Sequence, residues 1–367
     1  MWLGVLEGAG CFVSLVAVFR IIRRTGNSYH QPISTETTTR NIHPRARPIN
    51  TPPQGQINRG YIYSNTAQIQ SPTTALQFYA QTFPHLSVEE WNREFLEGRI
   101  ITRGFKGNNA PVLETKINSD YEIRRGEKLA YYKPPWREPA VPLDLPVLYE
   151  DDHILAVNKP AGLQVLPGGG FQDSTVLGIL KRRSDIPCYP VHRLGRGTSG
   201  VLLCAKSQIG RRKLSKDFKD HKVVKIYRAL VEGIVSEDKI DVRAPIGPLK
   251  SGPFKGINAY VEDGKASYTI LKVLKRDVKR NESLVEADIQ TGRPHQIRIH
   301  CAFTGHPLVA DPFYAPGGRP VWSSHDSAPP RIGDVGYWLH SMRLEVAHPM
   351  LGQKLVLVAP VPGELGL

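Results

Sequence analysis

The sequence predicts an α+β protein built on a mixed, mainly antiparallel β-sheet with helices flanking it. From residue 147 onward, short β-prone runs recur between clusters of Gly, Pro, Asn and Asp. Two substantial helical patterns accompany them, VEEWNREFLEGR beginning at Val88 and the basic segment Gln208–His221. A doubly wound parallel sheet would need a helix after nearly every strand, and the pattern does not supply them.

At 367 residues the chain is long enough for two domains with linkers and a sizeable core. Its 48 Lys+Arg against 34 Asp+Glu leave a net charge of +14, which favours a polyanionic partner, RNA ahead of an acidic membrane surface. Cys11, Cys188, Cys204 and Cys301 are scattered, without CxxC or Cys/His ligand spacing. Neither a metal site nor a disulfide scaffold is expected, and Cys204 reads as a small core residue.

Residues 1–74 read as an apolar N-terminus followed by a disordered basic linker. The uncharged run Gly8–Phe19 is too short to span a bilayer, and Arg20, Arg23 and Arg24 close it, so membrane contact is not expected. From Thr25 to Thr73 the chain is Ser, Thr, Asn, Gln and Pro with one acidic residue, Glu36. Such a composition buries too little apolar area to offset its ordering entropy.

Residues 75–133 read as a small α+β module. Its helix places Trp91, Phe95 and Leu96 inward, and β-prone pieces follow at Arg99–Arg103 and Glu122–Tyr132. Prolines at 134, 135, 139, 142 and 146 make residues 134–146 a stiff connector.

Residues 147–367 form the main domain. It opens on a hairpin about Glu150–His153, and Gly168–Gly170 follow without the Lys-Ser/Thr that completes a phosphate loop, so no nucleotide cofactor is expected. His192-Arg193-Leu194 then enters a Gly/Thr/Ser loop that feeds the apolar run Val201–Ala205, a strand buried on both faces. The basic segment presents Arg211, Arg212, Lys213, Lys216 and Lys219 around Leu214 and Phe218, as a solvated helix face does. An alternating strand, Lys222–Gly233, carries Tyr227 at its middle, and further strands are expected at Ala266–Leu274 and Ser283–Gln290. A helix is expected from Pro294, with Ile297 and Cys301 along one side. Ala315–Gly336 reads as a surface loop before a closing strand at Leu339–Pro349.

Two of these stretches resemble the signatures of the RluA class of pseudouridine synthases. His192, Arg193, Leu194, Thr198, Ser199, Gly200 and Lys206 stand where the first signature has them. Gly292, Arg293, His295, Gln296, Ile297, Arg298 and His300 stand where the second does, with Gly305-His306-Pro307 and Asp311 beyond it. ILAVNKPAGL and the trio Lys225, Tyr227 and Ala229 fit the same family, and the likeness runs from about Val147 to Pro349. At the family's catalytic aspartate this chain has Gly195; the same HRLGRGTSG loop resembles that of a plant subgroup.

The resemblance implies the pseudouridine synthase fold, an RNA substrate (rRNA or tRNA), isomerisation of uridine without a cofactor, and a monomer. Tyr227 and Arg298 are then the catalytic candidates. His192, Arg193, Arg293, His295, Gln296, Thr198 and Lys206 are the RNA-binding ones, and residues 75–133 resemble a degenerate S4-like RNA-binding module. Gly195 carries no ionisable group, and the nearest acids in sequence, Asp185, Asp217 and Asp220, lie outside the loop. The competing expectation is a non-catalytic RNA-binding protein or RNA chaperone that kept the cleft. The sequence names no compartment.

Overall fold

The computed structural model describes residues 55–104, 113–183, 187–321, 333 and 335–367. Those residues form two compact units, one of 59–135 and one of 55–58 with 136–367. The apolar run at 8–19 lies outside the described residues.

The smaller unit begins with β1 (Tyr61–Thr66), then α1 (Ala75–Thr82) and α2 (Val88–Leu96), then β2 (Ile100–Gly104), β3 (Leu113–Lys116) and β4 (Lys128–Lys133). Its strands make an antiparallel sheet in the order β1-β4-β2-β3. Both helices start on reciprocal capping boxes, Thr74 with Gln77 and Ser87 with Glu90, which satisfy backbone donors that a helix start leaves open.

Trp91 and Phe95 are buried as their spacing requires, but Leu96 is 81% exposed. At 100° per residue Leu96 lies about 140° round the helix from Trp91, so the two cannot share one buried stripe. Order also begins earlier than the composition suggests. The polar hexamer YIYSNT pairs residue by residue with β4 from Tyr61↔Lys133 to Thr66↔Lys128. As an edge strand it is held by β4's backbone and needs little apolar surface of its own.

In the larger unit β5 (Val147–Glu150) and β6 (Ile154–Lys159) form the expected hairpin, and α3 (Val176–Arg183) follows. The chain continues through β7 (Tyr189–Pro190), β8 (Ser199–Ala205), α4 (Gln208–Lys219) and β9 (Val224–Glu232). Next come β10 (Lys239–Val242), β11 (Ile246–Pro248), β12 (Asn258–Tyr260), β13 (Thr269–Asp277) and β14 (Glu282–Ile289). It closes with α5 (Gln296–Phe303), β15 (Tyr314–Ala315), β16 (Arg319–Pro320), β17 (Leu339–Ala347) and β18 (Lys354–Val358).

One sheet runs β10-β13-β14-β9-β17-β8-β6-β5, with β18 added to β17 and β7 to β8. The β17–β8 pairing is parallel, His340 opposite Ser199, and the other pairings described in this sheet are antiparallel. The sheet is therefore mixed and mainly antiparallel. At the parallel junction Gly200 has φ +107°, and a Cβ there would lie 2.2 Å from the carbonyl oxygen of Ser341. Only glycine lets β8 and β17 close.

All seven residues of β8 are buried. Leu202 and Cys204 join a core with Ile297 and Cys301 of α5, while Val201, Leu203 and Ala205 join another with Leu214 of α4. Alternation along the strand thus puts α5 and α4 on opposite faces of the sheet.

The proline-rich segment 134–146 is anchored along its length. Val141 and Leu145 are buried in the main core, and the Glu138 carboxylate accepts the backbone N–H groups of Gln172, Asp173 and Ser174. The helix expected from Pro294 starts two residues later, after His295 adopts a left-handed conformation at φ +58°. Proline restricts the residue before it, and the turn that Gln296 organises takes the place of a proline-led first turn.

Candidate active site

The loop leaving β7 is clasped on both sides before it enters β8. His192 Nε2 accepts the N–H of Leu203 at 3.0 Å, and its ring stacks on Phe218 of α4. Burial, with Lys225 nearby, lowers its basicity to a pKa of about 3, so the ring is neutral and Nδ1 carries the proton. On the other side the Arg196 carbonyl accepts Gly162 N–H at 2.8 Å and the ammonium of Lys159 at 3.3 Å. Lys159 is fully buried and also donates to the carbonyls of Pro160 and Leu163, so one cation ties two loops together.

The second segment is held from within. Gln296 accepts from Thr291 Oγ1 and Arg293 N–H and donates to the Tyr268 carbonyl and Thr269 Oγ1. The Thr269 hydroxyl in turn meets His300 Nδ1 at 2.8 Å, and His300 Nε2–H donates to the Ala244 carbonyl. This chain of bonds fixes where α5 begins, and hence where Arg298, two residues further, points.

Arg298 Nε and one terminal nitrogen each meet an Asp311 carboxylate oxygen at 2.6 Å, a bidentate pair with side chains 3% and 1% exposed. Burial opposes the guanidinium charge, but Asp311 outweighs it and raises the Arg298 pKa above its ordinary value. The cation lies between two tyrosine rings, 4.3 Å from the Tyr337 centroid and 5.0 Å from that of Tyr314. Asp311 Oδ1 also accepts the N–H groups of Phe313 and Tyr314.

Tyr314 donates its hydroxyl proton to the Asn258 carbonyl at 2.7 Å. His295 Nδ1, 2.9 Å from the same hydroxyl, must then be the donor to it. Burial first, then Arg298 and Arg193, lower the His295 pKa to about 3, against the pull of Asp311. The influence of Arg193 brings the first loop close to the start of α5.

Tyr337 joins the two segments, and nothing in the sequence singled it out. It is 2% exposed, its hydroxyl lies 3.3 Å from Thr198 Oγ1, and its ring faces Arg298. A Cβ on Gly195 would come within 2.9 Å of that hydroxyl, and one on Gly197 within 2.8 Å of the ring. The two glycines cradle the phenol because they lack side chains. Tyr337 follows the Gly/Pro-rich stretch read as a surface loop; its only signal was its place two residues before the closing strand.

Tyr227 lies on β9 between Ala287 and Ser341, and it shares a buried cluster with Leu194, Ile297 and Tyr337. Burial pushes its phenol up to about 12.

The residues expected to bind RNA divide by how their polar atoms are used. His192, Thr198 and Gln296 are engaged as above, and Lys206 pairs with Glu150 at 2.9 Å and donates to the Asp151 carbonyl. Arg193 is exposed and Arg293 partly so, the latter donating to the Ala266 carbonyl. Of the acids nearest in sequence, Asp220 pairs with Lys216 on α4, across the sheet from Arg298, and Asp185 lies outside the described residues. Asp311 is the carboxylate that the fold brings to Arg298.

Residues 153–303 match the family model described as RNA pseudouridylate synthase. The chain is 36% identical to RNA pseudouridine synthase 5 of Oryza sativa subsp. japonica, over 84% of this chain and 89% of that protein. Its counterpart in Arabidopsis thaliana is 38% identical, over 84% and 95%. The ribosomal large subunit pseudouridine synthase D of Pseudomonas aeruginosa is 36% identical, over 78% and 88%. Among solved structures, the human RNA pseudouridylate synthase domain containing 1 aligns with a TM-score of 0.50 at 26% identity, covering 62% of this chain and 89% of that one.

Proposed function

Since this chain belongs to the RNA pseudouridine synthase family, a family of isomerases, we propose that it converts uridine to pseudouridine in structured RNA, ribosomal or transfer. The reaction breaks the bond from N1 to the ribose and rejoins the base through C5. Substrate and product contain the same atoms, so no cofactor enters the balance. The target base must leave its stack first, at a cost of about a few kcal/mol. The Tyr227 ring supplies an apolar wall for it. Arg298 supplies fixed positive charge where negative charge develops on the base, and it is already oriented by Asp311. Arg193 and Arg293 engage phosphates, and residues 75–133 act as an S4-like second RNA contact.

The observation that carries this reading is the meeting of the loop at Gly195–Thr198 with α5 on a single side chain, Tyr337, beside Tyr227.

A second reading, a non-catalytic RNA-binding protein, rests on one specific fact. Gly195 has no carboxylate, and Asp311, the acid at Arg298, spends its oxygens on Arg298 and two backbone N–H groups. The two readings part in one experiment. Purified protein is incubated with RNA labelled at uridine, and the digested nucleosides are separated. Pseudouridine above the protein-free control is expected; RNA that is bound but unchanged overturns the first reading in favour of the second.

A further inference from the structure

A pocket that moves protons needs a group with a proton to give or a lone pair to receive one, and most candidates here are spent. Asp311 is engaged by Arg298 and two backbone donors, three of the four bonds falling on Oδ1. The Tyr314 hydroxyl is committed to Asn258 and His295. Tyr337 differs. Its hydroxyl has one polar neighbour, Thr198 Oγ1, at 3.3 Å, longer than a normal O–H···O bond. It lies where a side chain on Gly195 would begin. Gly195 is itself partly exposed. The Arg298 guanidinium stands over the ring, a fixed positive charge beside any negative charge that forms.

We propose that Tyr337 is the proton-carrying group of this pocket, its hydroxyl occupying, from the segment that leads into β17, the space that a carboxylate at position 195 would take. The inference rests on the synthase reading. As the bond from C1′ to N1 breaks, its electron pair leaves with the uracil. The departing uracil takes the hydroxyl proton of Tyr337, whose oxygen then takes the proton from C2′, and the C2′–H electron pair closes a double bond to C1′. Once the base has turned, the uracil's own electrons bond C5 to C1′, and the double-bond pair takes the proton back from Tyr337 to C2′. The proton that C5 loses returns to the Tyr337 oxygen, and the one that the departing uracil gained stays on N1, so charge and atoms balance. Gly195 and Gly197 follow from this arrangement, because a side chain at either would displace the phenol.

The test is a set of single-turnover measurements on full-length wild type, Tyr337→Phe, Gly195→Asp and the double variant, with RNA affinity and thermal midpoint measured alongside. Tyr337→Phe keeps the ring over Arg298 and is expected to lose about 10²-fold or more in rate while RNA affinity stays within about 3-fold. Gly195→Asp alone is expected to slow wild type, since its Cβ meets the hydroxyl. In the Tyr337→Phe background the same change is expected to restore at least about 10-fold, because the carboxylate then has both room and a role. Replacing Tyr337 with a ring-fluorinated tyrosine, whose hydroxyl is more acidic, should move the pH profile of the rate toward lower pH, which a packing role would not do. Tyr337→Phe working at the wild-type rate, or an unmoved pH profile, overturns this inference and leaves the synthase reading standing. Wild type without turnover overturns both.

Discussion

Arg298 and Asp311 are joined by two parallel 2.6 Å hydrogen bonds with both side chains almost entirely out of water. Attraction at that distance is strong, but each charge has lost its hydration, so the pair matters most when one partner is removed. Asp311→Ala should therefore destabilise the protein by about 3–5 kcal/mol, leaving an uncompensated guanidinium between two tyrosine rings. Urea unfolding measures this; a loss under about 1 kcal/mol would mean that Arg298 finds water or another acid.

Lys159 makes a different prediction because its partners are neutral carbonyls from two loops, Pro160 and Leu163 in one and Arg196 in the other. Lys159→Met fills the same volume and takes the ammonium donor from all three carbonyls, of which Arg196 keeps the Gly162 N–H. About 1–3 kcal/mol of stability should go. Exchange of the Gly162 N–H with solvent should quicken as the clasp loosens, and unchanged protection would show that Lys159 does not hold the loops together.

Two histidines set an acid limit. In the unfolded chain each takes up a proton near pH 6.5, whereas folded His192 and His295 resist protonation down to about 3. Between those values the unfolded state binds more protons, so stability is full above about pH 6.5 and falls as the pH is lowered toward 3. Unfolding midpoints across that range should decline less steeply in His192→Gln and in His295→Gln, by about one proton each. Identical slopes in all three proteins would refute the assignment.

RNA contacts should separate by salt. Arg193 is exposed, so Arg193→Ala should weaken RNA binding and flatten the plot of log affinity against log salt by about 0.7–0.9. Gln296→Ala breaks internal bonds instead; it should lower the thermal midpoint with the salt slope kept. A salt slope that falls in Gln296→Ala and holds in Arg193→Ala would reverse the two roles.

Local pattern was enough for much of this protein. The burial of β8 on both faces follows from Val201–Ala205 alone, and the hairpin of β5 and β6 from the turn residues between them. Arg298 at the site was legible because its neighbours on either side form a specific motif. Leu96 is exposed because five residues turn a helix about 140° past Trp91, off the buried stripe that Trp91 and Phe95 share. β1 was missed because an edge strand can be polar, its stability coming from a partner more than 60 residues away.

The sequence by itself determined the family, the mainly antiparallel α+β architecture and the absence of an ionisable side chain at position 195, because each is written in residue identity and short-range order. Tertiary structure decided that Asp311 pairs with Arg298 and that Tyr337 fills the space between Gly195 and Gly197. Those relations depend on where β17 comes to rest beside β8, about 140 residues away along the chain, and spacing in a sequence carries no information about a meeting made through the backbone of a sheet.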